Sequence, residues 1–414
     1  MEIKKKEIWF TLSKDVYISF NSPEKLLLYN TSNGKFLVVT NSKCIELINK
    51  VYEPSNLGVV DIETIELDSN ILDFLDKATS SGIGLTTKKS VCPNKPINLL
   101  PILNLQNDIE KLKLNGKEHL MGHYIADYLT SLNIFITTDC KQNCEYCDSY
   151  FKQTLFCTKS TEQQYIKIET LQKIFSQSAS TNVNKINILG GNIMLYPQWD
   201  MLIDLLKKQS FDFHLWINLV NITDYSFFTN IPFHKEILVN CPVDIERLKK
   251  IISFAETQND VTFNFIIENE NVYEGVVNLI DEYKHLKYKL IPFYNGSNID
   301  FFKTNVFMEE SDILSDLIEM RIIFRNQKLN ANFFGQLTFL VDGQVRANMN
   351  TLPIGYFPDK SILELTYEEL IQNTIWRKVR DGDTCTTCMY RFLCPPPGNL
   401  ETVLDKQNLC HIKP

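Results

Sequence analysis

The sequence predicts an α/β fold organised on a parallel sheet, and three observations carry that expectation. From residue 131 to about 300, apolar runs of strand length alternate with amphipathic stretches at helical spacing, which implies parallel strands joined by crossover helices. Residues 1 to about 88 follow another pattern, that of a small α+β module. Three thiols, Cys140, Cys144 and Cys147, stand just after the first apolar run of the alternating region.

Composition narrows the function classes. At 414 residues and 48.1 kDa the chain has room for two or three domains. Hydrophobic residues at 44% and charged residues at 22% allow a sizeable core. A formal charge of −8, a pI of about 5.4 and no long basic run argue against a nucleic-acid partner. No apolar segment follows the charged start at residues 1–6, so no secretory signal is expected. No apolar run reaches 18 residues, so no membrane span is expected either. Eleven cysteines without such a signal point to reduced thiols, metal and the cytoplasm rather than to disulfides.

The first 88 residues carry strand-like runs at Val16–Ser19, Leu26–Tyr29 and Phe36–Thr40. The last two form a hairpin across the turn cluster Asn30 to Gly34. Helices are predicted at Cys44–Val51 and Ile71–Ser80, the second ending at Gly82, and a short strand carries the chain out at 82–85. Residues 89 to 130 read as a connector, extended over 96–104 and helical from His119 to Leu129.

The alternating region predicts strands at 133–138, 185–189, 214–219, 236–241, 261–267 and 288–293. The helices between them are expected at 162–176, 198–208, 243–256 and 272–285, with a weaker one near 223–229. Residues 302–330 read as largely helical. A hairpin follows, from Gly335 to Arg346 with its turn at Asp342-Gly343, and then a helix over 366–377.

Cys140, Cys144 and Cys147 have a 3,2 spacing that a short loop can wrap around one iron–sulfur cube. Such cubes are normally held by four thiolates, so three leave one iron open to a small molecule. A zinc site or buried free thiols is the plainer alternative, although zinc sites usually show paired CxxC knuckles. The second strand leads into Gly190-Gly191-Asn192, where paired glycines permit a close backbone approach to a ligand or form only a turn. Asn218 ends the third strand as a candidate polar contact. Cys385, Cys388, Cys394 and Cys410 form a second set, which a four-cysteine zinc site also allows. Cys157 lies ten residues past Cys147 and is either a hydrogen donor or a small buried residue. Cys44 and Cys241 read as core, Cys92 has no assigned role, and the six histidines show no metal spacing.

The motif CxxxCxxC at Cys140–Cys147, with Tyr146 before its last cysteine, resembles the radical S-adenosylmethionine (SAM) signature. The resemblance implies a partial (β/α)6 barrel over 131–330. It also implies a 4Fe–4S cluster on those three thiols, SAM on the open iron, and Tyr146 near the adenine. Gly190 and Gly191 match the family's GGEP motif, with Asn192 and Ile193 in place of its acid and proline. The cysteine set at 385–410 resembles a reduced SPASM extension over 331–414, which implies one auxiliary 4Fe–4S cluster on Cys385, Cys388, Cys394 and Cys410. Residues 1–88 resemble the winged-helix-type peptide-recognition domain that takes a leader peptide as an added strand.

Stretches such as Leu27 to Lys35 and Cys394 to Asn399 resemble a Bacteroidales family described as pseudo-radical-SAM proteins with a SPASM domain. Its members accompany precursor peptides with a Gly-Gly leader and a second radical SAM maturase. Two functional expectations follow. The chain is a radical SAM maturase that forms a cross-link or another radical modification in a precursor peptide. Alternatively, it is a catalytically degenerate partner that binds the leader and docks on the companion maturase as a heterodimer.

Overall fold

Six of the nine strands in the largest sheet run parallel in chain order, as the alternation of the sequence requires. The computed structural model describes residues 7–20, 22, 24–101, 125–142, 144–155, 164–240, 243–255, 260–283, 285–372 and 374–413.

The chain opens with β1 (Ile8–Leu12), β2 (Val16–Ser19), β3 (Leu26–Asn30) and β4 (Phe36–Val39). A helix, Ser42–Tyr52, then starts under an Asn41 cap whose side chain accepts from the Lys43 and Cys44 backbone N–H groups. β5 (Val60–Asp61), a second helix Ser69–Ser80 capped by Asp68, and β6 (Gly84–Lys88) follow. These strands form two three-stranded sheets, β5-β1-β6 and β2-β3-β4. The predicted hairpin and both helices are present, and the exit strand forms two residues later than expected. The sequence reading missed β1 and the two-residue β5.

The core of this region does not stop at its own residues. Phe10, Leu28, Tyr29 and Ile48 share one buried cluster with Ile313, Ile323, Tyr390 and Leu393. The Ile318 backbone N–H donates to the buried Tyr29 hydroxyl at 2.9 Å. Each such buried side chain contributes roughly 1.5–3 kcal/mol, so the cluster fastens the first hundred residues to the C-terminal cysteine region.

The parallel run comprises β7 (Ser131–Thr137), β8 (Lys185–Gly190), β9 (Asp212–Asn218), β10 (His234–Val239), β11 (Val261–Ile267) and β12 (Tyr288–Pro292). Each matches a predicted strand to within two residues at either end. Helices Ile168–Ser178, Trp199–Lys207, Ile245–Ala255 and Glu270–Glu282 occupy the predicted intervals. Successive side chains alternate between the two faces of the sheet. Leu132, Ile186, Leu215, Ile237 and Phe263 face the helices in the main core. The other face is largely polar. There Asn133 donates to Thr338, Asn187 donates to Asn133 at 2.7 Å, and Trp216 Nε1 donates to Asn187 at 3.0 Å.

The hairpin β13 (Gln336–Phe339) and β14 (Gln344–Arg346) extends this sheet, with β13 parallel to β7, and β15 (Gly355–Tyr356) closes the edge. The predicted helix at 366–377 lies at Ile362–Gln372 instead. Glu369 sets its end. Its buried carboxylate accepts from the Thr374 hydroxyl and from the backbone N–H groups of Ile375 and Trp376, which draws these residues out of the helical ladder. The expected helix at 119–129 is seen as Ile125–Tyr128, and its first part lies outside the described residues.

Candidate iron–sulfur sites

The cysteine loop leaves β7 at the carboxyl end of the sheet, where ligands bind in open α/β sheets. Thr137 organises the turn. Its hydroxyl accepts from Asp139 N–H at 3.1 Å, and its carbonyl accepts from Gly191 N–H at 3.0 Å. Asn192 N–H donates to the Asp139 carbonyl at 2.6 Å. The glycine pair is required by this packing. A Cβ on Gly191 would lie 2.9 Å from Cys140 Cβ and overlap the Asp139 carbonyl, and one on Gly190 would lie 2.6 Å from the Thr137 carbonyl.

Cys147 begins the helix Cys147–Gln153, and its N–H donates to the Cys144 carbonyl at 3.3 Å. The side chains of Cys144 and Cys147 are hydrogen-bonded, with Cys140 close enough to act on Cys144 electrostatically. Burial, then the neighbouring thiols, pushes the Cys144 thiol up to about 11. Cys140 thus packs against the glycine pair, with Cys144 and Cys147 on the same loop and in reach of one another.

The helix is held at its far end by Gln153, whose side chain donates to and accepts from the backbone of Tyr294. Between them lies an aromatic stack. Tyr150 and Phe293 have ring centroids 4.7 Å apart, and Tyr146 lies 5.4 Å from Phe293.

The residues expected around SAM are partly brought together. Gly190, Gly191 and Asn218 line one cavity with Trp216 and Leu238, and its volume is about 20 Å³. Sites for small molecules run to roughly 300–1,000 Å³. Asn192 caps a short turn by accepting from Met194 N–H at 3.1 Å. Asn218 accepts from Val220 N–H and donates to Asn240 at 2.7 Å. The Asn240 side chain also lies in hydrogen-bonding reach of the Tyr150 hydroxyl. Cys157 and Cys241 lie outside the described residues.

Sequence reasoning passed over Trp216, Asn240, Glu268 and Phe293. The last three each directly follow the end of a parallel strand, the place that singled out Asn218. Glu268 is half-buried, and burial raises its carboxyl despite the hydrogen bond from Asn295.

The second set converges as expected. Cys385, Cys388, Cys394 and Cys410 line one pocket with Arg380 and Arg391. Cys410 arrives by a bridge to Met308. Arg380 is buried, donating to the Pro395 carbonyl at 2.7 Å and to Glu401 at 3.0 Å. Burial pushes the Cys394 thiol up to about 12, with Arg380 opposing it. Among the described residues, no three of these seven sulfurs lie within 4.8 Å of one another.

No family model matches the chain, and no curated protein matches it. Solved structures do. SuiB of Streptococcus suis bound to precursor peptide SuiA is 13% identical, covering 97% of this chain and 99% of that one with a TM-score of 0.43. SuiB bound to S-adenosylmethionine is 12% identical over 97% and 99%, with a TM-score of 0.40. Hexahistidine-tagged anSMEcpe with bound AdoMet is 15% identical over 64% of this chain and 84% of that one, with a TM-score of 0.45. No helix of the described residues is long and apolar enough to cross a membrane.

Proposed function

We propose that this chain is a radical SAM protein of ribosomal peptide maturation. Cys140, Cys144 and Cys147 hold a 4Fe–4S cluster with one open iron, and Cys385, Cys388, Cys394 and Cys410 hold an auxiliary 4Fe–4S cluster. The observation that carries this reading is the gathering of the first three thiols at the carboxyl end of β7, against bare glycine backbone. Thiolate donors at this spacing suit iron–sulfur cores. SAM bound at the open iron supplies the means to abstract hydrogen from a peptide residue.

The chain's own residues position and enclose that chemistry. Gly190 and Gly191 offer backbone at short range, and Tyr146 packs on Phe293 beside Cys144. Asn192 and Asn218 border the site. Cys157, outside the described residues, is either a hydrogen donor or a small buried residue. The auxiliary cluster, with four protein ligands, fits electron transfer. Residues 1–88 would take the leader on the edge of β4, which among the described residues pairs with β3 alone and exposes Phe36 and Val38. A companion maturase and a cytoplasmic setting complete the reading.

One observation favours a second role, that of a leader-binding partner without turnover. The rings of Tyr146, Tyr150 and Phe293 pack beside the first set of thiols, although a cavity of about 390 Å³ lined by Lys141, Gln142, Asn192 and Asn221 adjoins the glycine pair. Electron paramagnetic resonance separates the two. The reconstituted, reduced protein is recorded with and without SAM, beside the Cys140/Cys144/Cys147 triple alanine variant. A SAM-induced change that the variant lacks supports the catalytic role. Cluster signals indifferent to SAM favour the partner role.

A further inference from the structure

At the opposite, amino-terminal end of the parallel strands, the structure corrects the expectation that no histidines are placed for metal. His214 and His234 stand in register on neighbouring β9 and β10, and Glu236 lies two residues further along β10. All three point to the polar face. Their ligand atoms lie within 4.8 Å of one another. His214 Nδ1 is 3.1 Å from Glu236 Oε1, and His234 Nε2 is 3.8 Å from the same oxygen. Tetrahedral bonds of about 2.0–2.2 Å put ligand atoms roughly 3.3–3.5 Å apart, between these two distances.

The surrounding groups orient the ligand atoms. Asn264 Nδ2 donates to Glu236 Oε2 at 2.9 Å, which leaves Oε1 for the site. Asp212 Oδ2 lies 3.1 Å from His214 Nε2. A proton donated from Nε2 to Asp212 turns the Nδ1 lone pair toward Glu236. This is the carboxylate–histidine arrangement that orients a ligating imidazole. A cation bound in this tautomer would take the place of the proton that otherwise joins His214 Nδ1 to Glu236 Oε1 at 3.1 Å. Among the described residues, Lys289 and Lys185 compete for this charge, but the Lys289 ammonium stands at 3.4–3.5 Å from Glu236 with its side chain half-exposed, and Lys185 acts only at longer range. Thr262 Oγ1 meets His234 Nε2 at 2.9 Å and is the group a metal would displace.

We propose that His214, His234 and Glu236 bind one first-row divalent cation of the zinc type, with Asp212 as the positioning residue of His214. Two imidazoles and a carboxylate suit such ions. The ion would tie β9 to β10 at the end of the sheet remote from the cysteines.

The test uses the full chain with its cysteine sites first filled with iron and sulfide, so that thiols do not compete. Zn²⁺ and Co²⁺ are then titrated by calorimetry and visible absorption. One further equivalent is expected to bind, with a Co²⁺ spectrum lacking sulfur charge transfer. His234→Ala and Glu236→Gln should weaken binding at least about tenfold. Asp212→Asn, at an exposed carboxylate, should weaken it by roughly 10–100-fold without touching the core, and it decides the matter if the other variants fail to fold. No binding beyond the iron, unchanged affinity in Asp212→Asn, or a sulfur charge-transfer band would each overturn the proposal.

Discussion

The side-chain amide of Gln153 exchanges two hydrogen bonds, each 2.8 Å, with the backbone of Tyr294, 141 residues away. This pair fastens the helix that starts at Cys147 to the segment after β12. Gln153→Ala leaves both backbone groups of Tyr294 without those partners and should cost about 1–3 kcal/mol. The expected result is a lower melting temperature and faster loss of iron from the first cluster. Gln153→Glu keeps the acceptor and loses the donor, so it should fall between. Unchanged iron retention in Gln153→Ala would show that the helix is held by other contacts.

Gly191→Ala should disturb the first cluster selectively. The new Cβ meets the Asp139 carbonyl and Cys140 Cβ, both backbone-anchored, so the cysteine loop must move. Overpacking of this kind costs about 1–3 kcal/mol. Iron per chain should drop toward the ~4 of one remaining 4Fe–4S cluster, while Cys385→Ala lowers the other share. Full iron in Gly191→Ala would mean that the loop is more yielding than its contacts suggest.

Arg380 is buried between the second cysteine set and Glu401. Arg380→Met leaves the Glu401 carboxylate with only the Gly398 N–H as partner and should destabilise the protein by roughly 3–5 kcal/mol. The double variant Arg380→Met/Glu401→Leu should recover most of that loss. Denaturant titration of the three proteins measures the coupling, and simple additivity would contradict it.

Glu369 gives the protein a pH dependence of known sign. Burial raises its carboxyl above 4.5, although Thr374, Ile375 and Trp376 donate to it. Between the unfolded and folded values the native state keeps a proton that the unfolded chain has lost. This contribution is therefore full below about 4.5 and falls away as pH rises through the folded value. Glu369→Gln should flatten that part of the stability–pH curve, whereas Glu369→Ala should lower stability throughout. An identical curve for Glu369→Gln and the parent would refute the assignment.

Much of this architecture was legible in the sequence because β7 to β12 are short apolar runs between amphipathic helices, a pattern that burial on one face enforces. The cysteine sets were legible because each is local, apart from Cys410, which a bridge to Met308 delivers. What escaped depends on register. His214 and His234 are twenty residues apart in the chain, and only the parallel pairing of β9 with β10 sets them side by side. The end of the helix at Gln372 escaped because a side chain, Glu369, fixes it rather than a glycine or proline. The cavity beside Gly190 could not be read either. Its size depends on how Trp216 and Leu238 pack, not on which residues are present.

The buried cluster that joins Phe10 and Tyr29 to Ile323 and Tyr390 has a consequence for modularity. A piece cut after residue 101 would carry an apolar face made to be covered by the far end of the chain. The opening segment therefore cannot be lent to another protein as a free-standing adaptor. Its cooperativity belongs to the whole chain, and the two ends should melt in a single transition.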